Sequence, residues 1–290
     1  MALVVLITAV STGCGDGKIY YKEIGPIAWS EDGKFLFFVY KDRASEYVYK
    51  LSSEPGGRSP QRVFTSEKKI LTLQVNFGSL LVSTAGVQEV DLASCEPKSI
   101  EIAGLVAEVA FYTEKKDLAF IANNSTSKRA LYIKTASSAV IEIDPTEILS
   151  NTLGLTQISP DRRSLLYVTS KGWSIANLVP PYGSVRVNGA SQGWWTSSQI
   201  ISISENDCPA RCEISTAGDI RPNGFPFPIN RIQASPDNLR VAFSFSDPNH
   251  AWRHKVDSIA IAKPDGTGYR VVVDGNQLPD GPLVWEVVPS

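Results

Sequence analysis

The chain has 290 residues, 43% of them hydrophobic, and its 28 basic residues nearly balance 30 acidic ones for a net charge of -2. That length allows one large all-β domain or two ordinary ones, while the even charge, with no basic run, excludes sequence-independent attraction to nucleic acid or to anionic lipid. With only two histidines, mechanisms that need several imidazoles as metal ligands or as acid and base are poorly served, so no cofactor and no metal site is expected.

Taken in chain order, residues 1–17 stand apart. Residues 2–10 are apolar but too short to span a bilayer as a helix, and they run into Ser11-Thr12-Gly13-Cys14-Gly15-Asp16. This reads as the end of a secretory signal. Small residues before a cysteine resemble the lipobox of bacterial lipoproteins, which implies acylation of Cys14, export to the periplasm or cell surface, and membrane contact through that lipid alone. No Lys or Arg precedes the apolar run and Ser11 stands where that motif carries an aliphatic, so an edge strand over residues 3–10 remains the other reading.

From residue 18 to residue 290 the chain reads as one domain of repeated strands. Met occurs once, whereas β-branched and aromatic residues come in short clusters separated by Gly, Pro, Asn and Asp. Three copies of one pattern stand out: Trp29-Ser30-Glu31-Asp32-Gly33-Lys34 before Phe35-Leu36-Phe37-Phe38, Ser159-Pro160-Asp161 before Leu165-Leu166-Tyr167, and Ser235-Pro236-Asp237 before Val241-Ala242-Phe243. The first and second are 129 residues apart, three steps of 43, and the second and third are 76 apart, two steps of 38. Weaker copies fall in the gaps at 73–82, 109–121 and 194–203, which makes six. Each continues with a third strand, such as Tyr47-Val48-Tyr49 or Ile259-Ala260-Ile261, a Gly- and Pro-rich turn, and a fourth strand, such as Ile141-Glu142-Ile143. Four strands per repeat of about 40 residues is the pattern of a β-propeller blade. Six blades are expected, with seven allowed. The segment 18–23 reads as a fourth strand and 283–288 as a first strand, a pair suited to fastening the ends of the ring.

The Trp-Ser-x-Asp-Gly-Lys pattern, with Ser-Pro-Asp recurring at 159 and 235, resembles the TolB-like propellers, also called WD40-like or PD40 repeats. The resemblance covers nearly the whole chain from residue 19. It implies the fold, and it leaves function open between a protein-binding module and enzymes such as propeller polysaccharide lyases. There is no Gly-x-Ser-x-Gly elbow for a hydrolase. Asp32, Asp161 and Asp237 read as turn residues, because Pro presets the first turn dihedral and Asp bonds its own backbone.

In this architecture the Ser-Pro-Asp turns share one face, and the loops from second to third strand share the other with the blade-to-blade loops. Binding gathers on loops held by a rigid scaffold, so the candidate residues are Arg43, Arg129, Arg211, His250, Trp252, Arg253 and His254. The loop 247–255 holds both histidines together with Trp252 and Arg253, residue types that dominate interface energetics. Lyases of this fold class draw His-based metal sites from several blades, which two histidines in one loop cannot reproduce. Trp194-Trp195 reads as core packing before it reads as a sugar platform. Cys208 and Cys212 bracket a hairpin tip at a spacing that suits a disulfide in an oxidising compartment, and Cys95 is left unpaired. These features favour an exported, monomeric binding module for a protein or envelope component, without enzymatic activity. A carbohydrate-active lyase is the alternative.

Overall fold

The computed structural model describes residues 23–41, 45–55, 59–76, 78–102, 104–123, 127–187, 192–195, 200–203, 215–216, 229–237, 239–246, 257–263 and 267–274. The first sheet is β1 (Glu23–Trp29), β2 (Phe35–Lys41), β3 (Glu46–Ser52) and β4 (Gln61–Ser66); the second is β5 (Thr72–Asn76), β6 (Ser79–Ser83), β7 (Val87–Asp91) and β8 (Pro97–Ser99). The third holds β9 (Ala107–Tyr112), β10 (Leu118–Asn123), β11 (Arg129–Lys134) and β12 (Val140–Asp144); the fourth holds β13 (Gln157–Ile158), β14 (Ser164–Thr169), β15 (Gly172–Asn177) and β16 (Gly183–Arg186). A three-stranded sheet follows, β17 (Gln192–Trp195), β18 (Ile200–Ile203) and β19 (Ser215–Thr216), and then a four-stranded one, β20 (Ile229–Ala234), β21 (Val241–Ser246), β22 (Asp257–Ala262) and β23 (Arg270–Val273).

Every sheet is an antiparallel meander built from one contiguous stretch of chain, as a propeller blade requires. The expectation of six four-stranded blades, with seven allowed, is corrected: five sheets among the described residues have four strands. The unit over 192–216 shows three among the described residues, four, four and two residues long, the last held by two pairings, Ile201↔Thr216 and Ser202↔Ser215. Trp194 and Trp195 end the first strand of that unit, opposite Ile201 and Ile200. A 3₁₀ segment, Ser150–Leu155, joins the third and fourth sheets; with no side-chain cap and no apolar period, nothing in the sequence announces it. No described helix is long and apolar enough to cross a membrane.

The Ser-x-Asp turns repeat atom for atom. Ser30 Oγ donates to Asp32 Oδ1 at 2.7 Å, the same oxygen accepts the Lys34 N–H at 3.1 Å, and Ser30 Oγ accepts the Phe35 N–H at 2.9 Å. The equivalent three bonds measure 2.5, 3.0 and 2.9 Å at Ser159 and Asp161, and 2.5, 3.0 and 3.0 Å at Ser235 and Asp237. A short side chain thus replaces the backbone partners that a tight hairpin leaves unmet. The hydroxyl bonds from Ser30 and Ser235 hold the Asp32 and Asp237 carboxyls below the usual aspartate value.

Strand alternation builds the core between blades. Along β2, Leu36, Phe38 and Tyr40 face the last sheet and pack with Ala242, Ile259 and Ile261, while Phe37 and Val39 face the second sheet and pack with Leu73, Val75 and Leu80. Both faces are buried, so the strand reads as a continuous apolar run. Similar clusters join the second sheet to the third and the third to the fourth. Pro26 interrupts the ladder of β1, where the register with β2 shifts between Ile24 and Ile27. A Cβ on the neighbouring Gly25 would lie 3.0 Å from Val39 Cβ, so the bulge needs glycine there.

The first sheet packs against the last, with β1 lying between β5 and β20. At that seam Trp29 Nε1 donates to the Gln233 carbonyl at 2.9 Å, and the Ile24 N–H donates to Asp257 Oδ2 at 3.1 Å. The expectation of a closing strand over 18–23 is corrected at Glu23, which opens β1 itself; residues 18–22 and 283–288 lie outside the described residues.

Candidate functional site

The innermost strands β1, β5, β13 and β20 supply the wall of a central cavity of about 100 Å³, with Phe111 of β9 and the 3₁₀ segment completing it. Polar groups on this wall come from Thr72, Gln74, Thr156, Gln157, Arg162 and Arg231. Gln74 ties two blades together: its side-chain amide donates to the Tyr112 carbonyl at 2.9 Å and its carbonyl oxygen accepts the Tyr112 N–H at 2.7 Å.

Arg162 closes the end of the channel on the side of the Ser-x-Asp turns. It occupies the left-handed position of its turn, with φ of 60°, where the first blade has Gly33 at 67°. A non-glycine residue there is strained by about 1 kcal/mol. Its guanidinium donates to Asn76 Oδ1, to Glu31 Oε1 at 2.7 Å and to the Val75 carbonyl at 3.3 Å, so one side chain from the fourth sheet holds the second and the first.

The same face carries the clamp of the seam. Arg240 donates Nη2 to the Gly33 carbonyl at 2.8 Å and Nη1 to Ser53 Oγ at 2.9 Å and Glu54 Oε1 at 3.3 Å, and it stands 5.3 Å from the centre of the Trp29 ring. Arg270 donates to the Ser53 carbonyl beside it. Between the second and third sheets this face opens a groove of about 510 Å³, lined among others by Ser79, Glu89, Lys98, Tyr112 and Lys116. Ser79 Oγ donates to Glu89 Oε1 at 2.7 Å there. Burial, followed by the Glu89 charge, pushes the Tyr112 hydroxyl above its ordinary value.

Arg231 stands at the other end of the channel. It donates Nη1 to the Gly154 carbonyl at 2.7 Å and so links the last sheet to the 3₁₀ segment across the cavity. Burial pulls its guanidinium below the ordinary arginine value, against the pull of Glu23, Asp257 and Glu46. Those three carboxylates are not on the cavity wall. Glu46 Oε2 accepts the Ile70 N–H at 2.5 Å, Asp257 accepts the Ile24 N–H, and Glu23 lies 3.7 Å from Lys41 Nζ. Burial raises Glu46 above its usual value despite the Ile70 bond.

Of the residues singled out in the sequence, Arg129 is described: its Nε donates to Glu108 Oε1 at 2.8 Å, and its carbonyl accepts the Ile148 N–H at 3.0 Å. It acts as a strut between β11 and β9. Arg43, Arg211, His250, Trp252, Arg253, His254, Cys14, Cys208 and Cys212 lie outside the described residues. Cys95 is exposed and free. Among the described residues no group of three or more His, Cys, Asp or Glu side chains is placed to hold a metal ion. The sequence reading missed Arg162, Arg231 and Arg240. A cation at the left-handed position of one repeated turn was the available signal for Arg162.

No protein-family model and no curated protein matches the sequence. Among solved structures, the chain is similar to a gluconolactonase from Xanthomonas campestris at 12% identity, with a TM-score of 0.53 over 78% of this chain and 84% of that one. It is also similar to a putative TolB from Agrobacterium tumefaciens at 14% identity, with a TM-score of 0.41 over 86% and 80% of the two chains. Oligogalacturonate lyase from Vibrio parahaemolyticus shows 10% identity and a TM-score of 0.48 over 88% and 78%. At these identities the likeness is one of fold.

Proposed function

We propose that the protein is an exported binding module, tethered through a lipid on Cys14, that holds a protein or envelope component on the face formed by its second-to-third strand loops. The observation behind this reading is the size of the channel. A cavity of about 100 Å³ with an arginine at each end admits a molecule of a few heavy atoms, whereas pockets that enclose larger ligands run to about 300–1,000 Å³. A macromolecular partner therefore meets the ring on a face. The described arginines of the turn face are tied between blades, which supports placing the partner on the second-to-third strand loops, where the sequence carries Trp252 and Arg253.

The test is capture from envelope extracts with wild-type protein and with a Trp252→Ala, Arg253→Ala double variant. Capture should fall at least ~10-fold, the change expected when anchors worth about 1.4 kcal/mol or more are removed, while the melting temperature stays unchanged. Unfolding of the double variant would assign these side chains to the core instead. Release of unsaturated product from oligogalacturonate by the metal-supplemented protein would replace this reading with the lyase alternative.

A further inference from the structure

On the turn face the joints between sheets are closed in two ways. Arg240 and Arg270 fasten the last sheet to the first, Arg162 holds the second and the first, and Arg163, just before β14, donates Nε and Nη2 to Glu114 of the third sheet's turn at 2.7 and 3.0 Å. Between the second and third sheets the same face instead opens into the groove of about 510 Å³, a size within the ~300–1,000 Å³ of pockets that take small ligands. Leu81, Val87, Phe120 and Tyr132 pack within one cluster that joins these two sheets, so the opening lies at the turn end of a joint that is otherwise filled by apolar side chains.

The turns and strand ends around the groove position its polar groups. Lys116 takes the left-handed place in the turn from β9 to β10, with φ of 65°, as Arg162 does in its own turn, and it lines the groove together with residues of the second sheet. Ser79 Oγ donates to Glu89 Oε1 at 2.7 Å and the Tyr112 hydroxyl bonds the same carboxylate, so both sheets hold Glu89 in place. An acceptor fixed in advance is ordered at little further cost when a ligand binds.

The wall defines the class of ligand. Among the described residues it carries no aliphatic side chain, which suits a polar occupant. Glu89, Asp91 and Glu96 stand there with Lys98 and Lys116, so an ion of either sign would meet like charge as well as unlike. A neutral ligand whose polar groups each donate and accept satisfies both kinds of side chain, and hydroxyl groups do so. Tyr112, partly exposed, adds an apolar body with a polar tip, which matches a ring that is polar at its rim and apolar on its faces. A saccharide has that construction. We propose that the groove between the second and third sheets is a binding site for a neutral saccharide, with Glu89, Glu96, Lys98 and Lys116 meeting its hydroxyls and Tyr112 its ring. The site lies on the opposite face from the second-to-third strand loops and stands whether or not a protein partner binds there.

The experiment is isothermal titration of the intact protein with cellotriose and triacetylchitotriose, two neutral saccharides, and with trigalacturonate as a charged one. It compares wild type with a Glu96→Ala, Lys98→Ala variant of the groove and with the Trp252→Ala, Arg253→Ala variant of the loop face. Glu96 and Lys98 are exposed, so the groove variant should melt as wild type does. Saturable binding of at least one neutral saccharide is expected, weakened ~10-fold or more in the groove variant and unchanged in the loop variant. Raising sodium chloride from ~0.05 to ~0.5 M should leave that affinity unchanged, because a neutral ligand offers no charge to screen. An absence of saturable binding for both neutral saccharides, binding of trigalacturonate alone, or equal affinity in the groove variant would overturn the proposal. A single Lys98→Ala variant gives the same readout if the double variant fails to fold.

Discussion

Two turns of this ring share one set of local hydrogen bonds and differ at the left-handed residue. In the turn over 30–34 that residue is Gly33, which accepts: its carbonyl takes the Arg240 guanidinium, and a Cβ there would lie 3.1 Å from Arg240 Nη2. In the turn over 159–163 the residue is Arg162, which donates, reaching Asn76 on the second sheet and Glu31 on the first. The repeated serine and aspartate build the turn, and the residue after the aspartate decides whether that turn sends or receives a bridge.

Removing a bridge should have the largest effect. Arg240→Ala deletes the bonds to Gly33, Ser53 and Glu54 and the contact with Trp29, and is expected to cost about 2–3 kcal/mol in urea unfolding, the range for charge-assisted bonds made by a mostly buried group. Arg162→Ala keeps the strained turn and loses its bridge, for about 2 kcal/mol. Arg162→Gly sharpens the comparison: it loses the same contacts but relaxes the backbone, and should be more stable than Arg162→Ala by about 1 kcal/mol. Equal stabilities would show that the turn carries no strain. Gly33→Ala combines the unfavourable dihedral with a displaced Arg240 and should cost about 1–2 kcal/mol.

The smallest effect is one of pH. The folded Asp32 and Asp237 carboxyls sit below their ordinary value, mainly through the serine hydroxyls. Stability from such a group is complete above the unfolded aspartate value of about 3.9 and is lost as pH falls through the lower folded value. The Asp32→Asn, Asp237→Asn variant should therefore fall short of wild type at pH 6, with the gap narrowing as pH drops below about 4. A gap that widened in acid would contradict the assignment.

The fold was legible because its signals are local. Ser30, Asp32 and Lys34 lie within a few residues of one another, and their chemistry recurs at Ser159 and Ser235 with nothing else required. The bridges were not legible, because Arg162 meets Asn76 and Glu31 across 86 and 131 positions of sequence and Arg240 meets Gly33 across 207. No periodicity encodes such pairs; they exist only once the ring closes. The unit over 192–216 was legible in the same local way, from Trp194-Trp195 and Ile200-Ile201, which fall on its first two strands. The central cavity was hidden for the first reason, its threonines and arginines coming from three separate repeats.

Under the proposed function, the turn face holds the ring and the loop face holds the partner. The most direct test measures capture from envelope extracts and melting temperature together for Arg162→Ala and for the Trp252→Ala, Arg253→Ala pair. Lowered melting with capture intact for the first, and lost capture with melting intact for the second, is the expected result. Lost capture in Arg162→Ala below its melting transition, with the loop pair binding as wild type, would contradict it.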